Sequence, residues 1–314
     1  LLLTAVSWIT NELFVTNIVI SIVFSVLSIA VLLRINYGYL TNDQNRKNLM
    51  LVFIIFLGFS KAFTDYMTSG LENPLSFLLI GLILLLLVKE SKNKPSKLSE
   101  MFVFILLALA FLNRFDFAVL LAPLVIYLLF FRYGFKHSLK HAVPGIILIT
   151  AWFTFAIIYF GAPFPNTFYA KLGTGYPKVE VYERGLNYFI VTYKNDPLTL
   201  LLMFLGFVAG IFSKNGLNRA LSIGMLLYCL YIIKSGGDFM MGRFFAILAY
   251  ISIFNISEFI SSKHLSLSMF KFGTALSVVI LTIGIAPIMS DSSYSNKQFE
   301  LGVADERGYY FQGY

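Results

Sequence analysis

Charged residues are scarce in this 314-residue chain, and their scarcity excludes a soluble protein. Only 13% of the residues are Asp, Glu, Lys or Arg, whereas 58% are hydrophobic. An ordinary soluble domain has about 25% charged residues. The mean hydropathy is +0.79, and residues 14–33 contain no charge at all. The composition therefore indicates a polytopic membrane protein.

Cysteine and histidine are also scarce, which limits the chemistry. The single cysteine, Cys229, excludes an internal disulfide and lies in an apolar run, where a thiol packs as a small hydrophobe. Two of the three histidines, His137 and His141, fall in one basic connector, and His264 falls in another. We therefore expect no histidine nucleophile and assign no metal ligand. No cofactor is evident, and a divalent metal held by carboxylates alone stays open.

Apolar runs separated by polar connectors predict an all-α bundle of about ten membrane helices. Each run approaches the roughly 20 residues that a helix needs to cross a bilayer. The predicted segments are 13–34, 48–64, 73–88, 100–113, 115–131, 142–160, 198–212, 217–233, 243–260 and 271–289. Residues 1–289 would form the transmembrane domain. Residues 290–314 lose the apolar character, and we expect them to begin a soluble domain on the outer face.

The connectors differ in charge according to the face on which they would lie. The connectors of one face hold most of the lysines and arginines but only four acids, which are Asp43, Glu90, Glu100 and Glu258. The positive-inside rule makes this face cytoplasmic. The net charge of +8 then reflects topology. Nucleic-acid binding is not expected, because it needs basic residues gathered on one water-facing surface.

The outer connectors contain residues that could carry chemistry. Asp238 and Arg243 stand five residues apart in a glycine-rich connector between two apolar runs. Charges at membrane depth usually face one another, a cavity or a substrate; the alternative here is an ordinary solvated loop. Asn166 and Lys171 follow two prolines among aromatic residues. Lys171 could hold a phosphate, or its side chain could only reach the headgroups.

Three further outer charges, Glu72, Arg114 and Asp116, lie close to membrane ends. Glu72 could instead stabilise the N-terminus of a helix through the helix dipole, and Arg114 could simply pair with Asp116. Carboxylates and cations at an aromatic-rich membrane surface suit a substrate with an anionic head and an apolar tail, such as a polyprenyl phosphate sugar. The phosphate would meet Arg or Lys, and a carboxylate would remove the proton of the acceptor hydroxyl.

Four motifs carry a resemblance to a known family. They are Ser-Gly-Leu-Glu-Asn-Pro at 69–74, Arg-Phe-Asp at 114–116, Pro-Asn-Thr at 165–167 with Lys171, and Gly-Asp-Phe-Met-Met-Gly-Arg at 237–243. In this order they resemble motifs of the bacterial GT-C membrane glycosyltransferases of the terminal arabinofuranosyltransferase-like group. Gly-Val-Ala-Asp-Glu-Arg at 302–307 is similar to the segment that opens the outer C-terminal domain of that group.

The resemblance implies a GT-C-like fold and a specific reaction. A sugar would pass from a polyprenyl phosphate donor to a cell-envelope glycan or glycolipid acceptor on the outer face of the bacterial inner membrane. The bilayer is the remaining partner. The catalytic aspartates of the group lie in a first outer loop, which we expect upstream of residue 1 together with the first helix. No catalytic residue is therefore assigned, and we expect the chain to be inactive by itself.

The resemblance also implies a set of substrate-binding residues that surround the reaction site. They are Glu72, Arg114, Asp116, Asn166, Lys171, Asp238 and Arg243. The alternative function is a transporter or flippase of lipid-linked sugars, and an accessory subunit is a third. A transporter should carry charges at the middle of spans in both halves, whereas these gather at the outer ends. No repeat of 20–50 residues is visible, which also disfavours a transporter built from inverted repeats.

The charge asymmetry predicts opposite sides of the membrane for two connectors. In cysteine-accessibility labelling of intact cells, a cysteine at Lys94 should be protected from a membrane-impermeant reagent and one at Asp238 should be accessible. Labelling of both positions from the same side would contradict the predicted helix count.

Overall fold

The computed structural model describes residues 2–39, 43–93, 95–166, 169, 175, 177–262 and 299–305. The helices in these ranges are α1 Leu2–Thr10, α2 Phe14–Tyr39, α3 Asp43–Phe59, α4 Lys61–Tyr66, α5 Asn73–Lys92, α6 Lys97–Asn113, α7 Phe117–Tyr127, α8 Phe135–Phe160, α9 Lys178–Asn195, α10 Pro197–Ile211, α11 Gly216–Lys234 and α12 Phe245–Ser262. A π-helical turn, Leu128–Arg132, continues α7, and a short hairpin pairs β1 Phe299–Glu300 with β2 Val303–Ala304. The all-α fold class is confirmed.

The predicted count of ten membrane helices is not confirmed. Within the described ranges, five helices are long and apolar enough to cross a membrane: α2, α5, α8, α11 and α12. A sixth crossing results if α9 and α10, which meet at 111°, form one bent span. Helices α3 and α6 have 17 residues each, and the predicted segment 271–289 lies outside the described residues.

One predicted segment is divided in the structure, and one helix lies in a predicted connector. The segment 48–64 is divided at Ser60, whose hydroxyl accepts a hydrogen bond from the Phe63 amide and so begins the separate helix α4. Helix α9 falls in a stretch that the sequence analysis assigned to a connector. This helix is amphipathic, because Gly185, Tyr188 and Val191 recur at helical spacing on its buried side. Its many charged residues make this pattern difficult to recognise in the sequence.

Helix α12 forms the centre of the bundle. Every side chain from Phe245 to Phe254 is buried, and α12 packs most extensively on α10. Small residues allow the close approach. A Cβ atom at Gly206 of α10 would lie 2.3 Å from the Ser252 Cβ, and one at Gly224 of α11 would lie 2.1 Å from the carbonyl oxygen of Leu120. Such contacts are typical of helix packing in membranes.

The outer connectors of the sequence analysis meet one another at one end of the bundle, and the basic connectors meet at the other. At the first end, Glu72, Arg114 and Arg243 are in contact. At the second end, Glu90 pairs with Arg132. His137 contacts Glu100, and the Ser213 hydroxyl donates to Glu258. The described connectors therefore sort into the two groups that the charge pattern predicted. Helix α8 exposes a long apolar surface that suits contact with lipid.

Candidate functional site

Five charged side chains from three connectors form one continuous set of ion pairs at the first end of the bundle. They are Glu72, Arg114, Asp116, Asp238 and Arg243, and we call this set the charge network. Its members come from the α4–α5, α6–α7 and α11–α12 connectors. All five are among the residues predicted to bind substrate.

Arg243 binds two carboxylates of the network. Its Nη2 donates to both carboxylate oxygens of Glu72, at 2.9 and 3.0 Å, and its Nε donates to Glu72 Oε1 at 3.1 Å. Its Nη1 donates to Asp238 Oδ2 at 3.2 Å. This two-point contact with Glu72 uses the planar geometry that only arginine offers. Nearly all donors of the guanidinium are therefore engaged within the protein.

Arg114 is the most buried cation of the network and is equally well satisfied. Its Nε and Nη2 donate to the two carboxylate oxygens of Asp116 at 3.1 and 2.7 Å. Its Nη1 donates to Asn73 at 3.0 Å and lies 3.4 Å from Glu72 Oε1. The hydroxyl of Tyr228, in α11, accepts from Nη2 at 3.1 Å and itself donates to Asp116. The predicted pairing of Arg114 with Asp116 is present as one part of a larger arrangement.

Aromatic rings enclose the Arg114 guanidinium. Its central carbon lies 5.2 Å from the ring centre of Phe117 and 4.9 Å from that of Phe244, which gives cation–π contacts on two sides. Burial by itself would lower the pKa of Arg114, but Tyr228, Asp116 and Glu72 raise that pKa well above its ordinary value. Burial would likewise raise the pKa of Asp116, yet Arg114 holds it below its ordinary value. Both groups are charged at neutral pH.

The connector that carries Asp238 and Arg243 is held in place by tyrosines from other helices. The Tyr188 hydroxyl donates to the Met240 carbonyl at 3.1 Å, and the Tyr66 hydroxyl donates to the Met241 carbonyl at 3.0 Å. Gly242 has a φ of +79°, and a Cβ there would lie 2.9 Å from α4. This position therefore requires glycine for two reasons, its backbone conformation and its close packing.

The hairpin covers the same connector. Leu301 and Gly302 both have positive φ, at 52° and 83°, as a two-residue hairpin turn requires. The amide of Ala304 donates to the Phe239 carbonyl at 2.6 Å, and the Met241 amide donates to the Ala304 carbonyl at 2.9 Å. The described part of the predicted outer domain thus contacts the transmembrane part directly. Residues 290–298 and 306–314 lie outside the described residues.

A second ion-pair group lies under the hairpin, at the N-terminus of α4. The buried Lys61 pairs with Asp65 and with Asp305, whose Oδ1 lies 3.1 Å from the Lys61 Nζ. Asp196, at the bend between α9 and α10, accepts from the Ala62 amide at 2.8 Å and from the Thr199 amide at 3.2 Å. These contacts hold α4 against the hairpin and against the bend between α9 and α10.

A polar cavity of about 540 Å³ opens beside Asp238. It lies between α9, the α11–α12 connector and the hairpin turn. Its polar lining includes Arg184 and Asn187 from α9 and the glycines Gly236 and Gly237. Sequence reasoning missed Arg184 and Asn187, because α9 was taken as part of a connector.

An apolar groove, also of about 540 Å³, lies between α6, α7 and α8. The described residues that line it are all apolar, and they run from Phe111 and Phe117 to Phe135 and Leu139. Phe117 also contacts Arg114. The charge network therefore begins where the groove ends, and it ends at Asp238, which lines the polar cavity.

Of the two remaining predicted binding residues, the structure describes only Asn166. Asn166 is exposed. Its neighbour Phe164 contacts Phe115 edge to face, with ring centres 5.7 Å apart, which places that loop next to the Arg114–Asp116 connector. Lys171 lies outside the described residues.

His137 and His141 lie at the opposite end of the bundle, as expected from their basic connector. The structure places them beside Glu100, a contact that their sequence positions did not indicate. The expectation that no histidine offers a metal site therefore has to be reconsidered.

Comparison with known proteins identifies the family. The profile of the Alg9-like mannosyltransferase family matches residues 1–172, more than half of the chain. The chain belongs to this family. No curated protein and no solved structure matches it. The matched range contains Glu72, Arg114 and Asp116, whereas Asp238 and Arg243 lie beyond it.

Membership in the Alg9-like family has two consequences. The chain is an enzyme, a membrane glycosyltransferase of the GT-C type that uses lipid-linked sugar donors. The match supports the GT-C group that the motifs indicated but not its arabinofuranosyltransferase-like subgroup. The transporter alternative receives no support from the family.

The geometry of the charge network predicts a large stability loss when Arg114 is removed. Arg114→Met would leave Asp116 without its bidentate cation, and loss of one member of a buried pair costs roughly 3–5 kcal/mol. We expect a lower midpoint of thermal unfolding in detergent for Arg114→Met and a partial recovery for Arg114→Met with Asp116→Asn. The exposed Arg219 provides the control, as Arg219→Met should leave the midpoint unchanged. Equal midpoints for Arg114→Met and the wild type would show that the network does not stabilise the fold.

Proposed function

We propose that the chain transfers a sugar from a polyprenyl phosphate donor to a glycan or glycolipid acceptor on the outer face of the bacterial inner membrane. The observation that carries this proposal is the position of the charge network. It connects an apolar groove that suits a lipid tail with a polar cavity that suits a sugar phosphate head. A lipid-linked donor needs an apolar site for its tail and a polar site for its head, close enough for one donor molecule to occupy both.

The groove supports the tail part of the proposal. A polyprenyl chain is a linear apolar ligand, and burial of such a surface is favourable by about 25 cal/mol per Å². Between Phe117 and Leu139 the lining offers no polar group that would be left without a partner. A tail in the groove would direct its phosphate towards the end of the bundle where Arg114 and Asp116 lie.

The polar cavity supports the head part. Arg184 supplies a cation for the phosphate, and Asn187 and Asp238 supply partners for sugar hydroxyls. Asp238 is held by Arg243 at 3.2 Å, so its carboxylate is fixed in orientation before a ligand arrives. Such preorganisation strengthens the binding of charged and polar groups.

The contacts of Arg243 do not favour the direct substrate binding that the motif resemblance implied. Its guanidinium already donates to Glu72 and Asp238, so a phosphate would have to displace a carboxylate. We therefore assign Arg243 as a positioning residue that acts through Asp238. We assign the phosphate to Arg184 because this residue lines the polar cavity, and Lys171 remains a second candidate. We assign no catalytic base.

Mannose is the first sugar to test, because the matched family is described as mannosyltransferases. An arabinofuranosyl donor is the second, because the four motifs resemble that group. Both donors have the same lipid phosphate, so the groove and the phosphate partner are expected to serve either sugar. The difference between them would fall on residues that contact the sugar ring, such as Asp238 and Asn187.

The two arginines are expected to affect different kinetic constants. Loss of a charge-assisted hydrogen bond is worth about 1.5–3 kcal/mol. Arg184→Ala should therefore raise the donor KM about tenfold to a hundredfold, and Arg184→Lys should recover part of the loss. Arg243→Ala should lower kcat, and Arg243→Lys should recover it only partly, since lysine lacks the planar fork.

The measurement is transfer of radiolabelled sugar from polyprenyl phosphate mannose in membranes that contain the full-length protein at equal expression. Lys178→Ala is the matched control, because Lys178 is an exposed cation of the same helix that does not line the cavity. An unchanged donor KM for Arg184→Ala would overturn the assignment of the cavity. A rise in donor KM for Arg243→Ala without loss of kcat would return the phosphate role to Arg243.

A further inference from the structure

Glu100, His137 and His141 bring three potential metal ligands together at the end of the bundle that is opposite to the charge network. Glu100 lies in the first turn of α6, and the two histidines lie one turn apart near the start of α8. Side chains four residues apart share one face of a helix. That face of α8 is directed towards Glu100, because both imidazoles approach the same carboxylate oxygen.

The ligand atoms are close to the spacing that a metal ion requires. His137 Nε2 lies 2.6 Å from Glu100 Oε2, and His141 Nδ1 lies 3.7 Å from the same oxygen. All three potential ligand atoms lie within 4.8 Å of one another. Zinc binds nitrogen and oxygen at about 2.0–2.2 Å in a tetrahedron, so its ligand atoms are about 3.3–3.6 Å apart. Small side-chain rotations would convert the present arrangement into that geometry.

We propose that Glu100, His137 and His141 form a Zn²⁺ site that fastens α6 to α8. Two imidazoles and one carboxylate are a ligand set that zinc prefers. The fourth position would be taken by water, which can reach the site because the His137 side chain is 45% exposed. The site is distant in the fold from the glycosyl-transfer site, so the proposal does not depend on the proposed function.

Burial of Glu100 gives a physical reason for a metal ion at this place. The Glu100 side chain is only 5% exposed, and a buried carboxylate is unfavourable unless a positive charge or hydrogen bonds compensate it. Neutral imidazoles would supply hydrogen bonds alone, whereas Zn²⁺ would supply charge. His141 Nδ1 lies 2.9 Å from the His137 carbonyl oxygen and donates to it, so metal binding at Nδ1 requires this nitrogen to lose its proton and rotate away from that carbonyl.

The neighbouring charges limit the affinity. Lys136 and Lys140 lie on the same turns of α8 as the two histidines, and both are exposed. Their positive charges oppose a divalent cation, although solvent screens exposed groups. A site of three protein ligands beside these lysines should therefore bind zinc less tightly than a fully four-ligand structural site.

Cobalt provides a spectroscopic probe of this site. Purified protein in detergent, freed of metal with a chelator, should bind one Co²⁺ per chain with the visible absorption of a low-coordinate cobalt ion, and Zn²⁺ should displace it. Glu100→Gln and His141→Ala should each weaken cobalt binding at least tenfold. His264→Ala is the matched control, because it removes the third histidine of the chain, and it should bind cobalt like the wild type.

A variant that gains an absorption band provides a test that a misfolded variant could not pass. His141→Cys should retain cobalt and add the intense near-ultraviolet absorption of a cobalt–thiolate bond, which arises only if residue 141 is a ligand. Zinc should also raise the midpoint of thermal unfolding of the wild type but not of Glu100→Gln. If the wild type binds no cobalt, or if His141→Cys binds cobalt without the thiolate band, the three residues form only an interhelical hydrogen bond and the metal site is wrong.

Discussion

The carboxylate of Glu72 is the group on which the functional end of the molecule depends. It accepts from Arg243 at two oxygens and lies 3.4 Å from Arg114. It thereby joins two connectors that are more than a hundred residues apart in the chain. Charges in such partly buried surroundings interact more strongly than in water. A change at Glu72 would leave two arginines short of negative charge at once.

The charge network explains how a largely apolar bundle can present a polar site at one end. Helix α12 and its neighbours bury apolar side chains continuously, and the network begins where that burial ends. Each cation has at least one carboxylate, and the Asn73 side-chain oxygen and the Tyr228 hydroxyl accept hydrogen bonds from Arg114. Each of the five charged groups is held by at least two hydrogen bonds or ion pairs, which makes the arrangement rigid. A rigid network can hold the walls of the groove and of the cavity in fixed relation.

Five of the seven residues that the sequence analysis singled out lie together, because rare charges at the ends of apolar runs need partners. How they gather was not predicted. Tyr228 is one of 18 tyrosines in the chain and lies in an apolar helix, and nothing local distinguishes it. Arg184 was missed because the many charges of α9 lower its overall hydrophobicity to that of a connector, although its buried residues recur at helical spacing. The approach of Glu100 to His137 depends on the packing of α6 on α8, which the local sequence does not encode.

A double-mutant cycle on Glu72 and Arg243 tests the central claim most directly. The free energy of unfolding in detergent would be measured for Glu72→Gln, Arg243→Gln and the double variant. If the bidentate pair organises this end of the bundle, the two single losses should not add, and the coupling should exceed about 1 kcal/mol. The same three variants should show non-additive losses of sugar transfer. Additive effects within about 0.5 kcal/mol would contradict the account, because they would mean that Glu72 and Arg243 act independently.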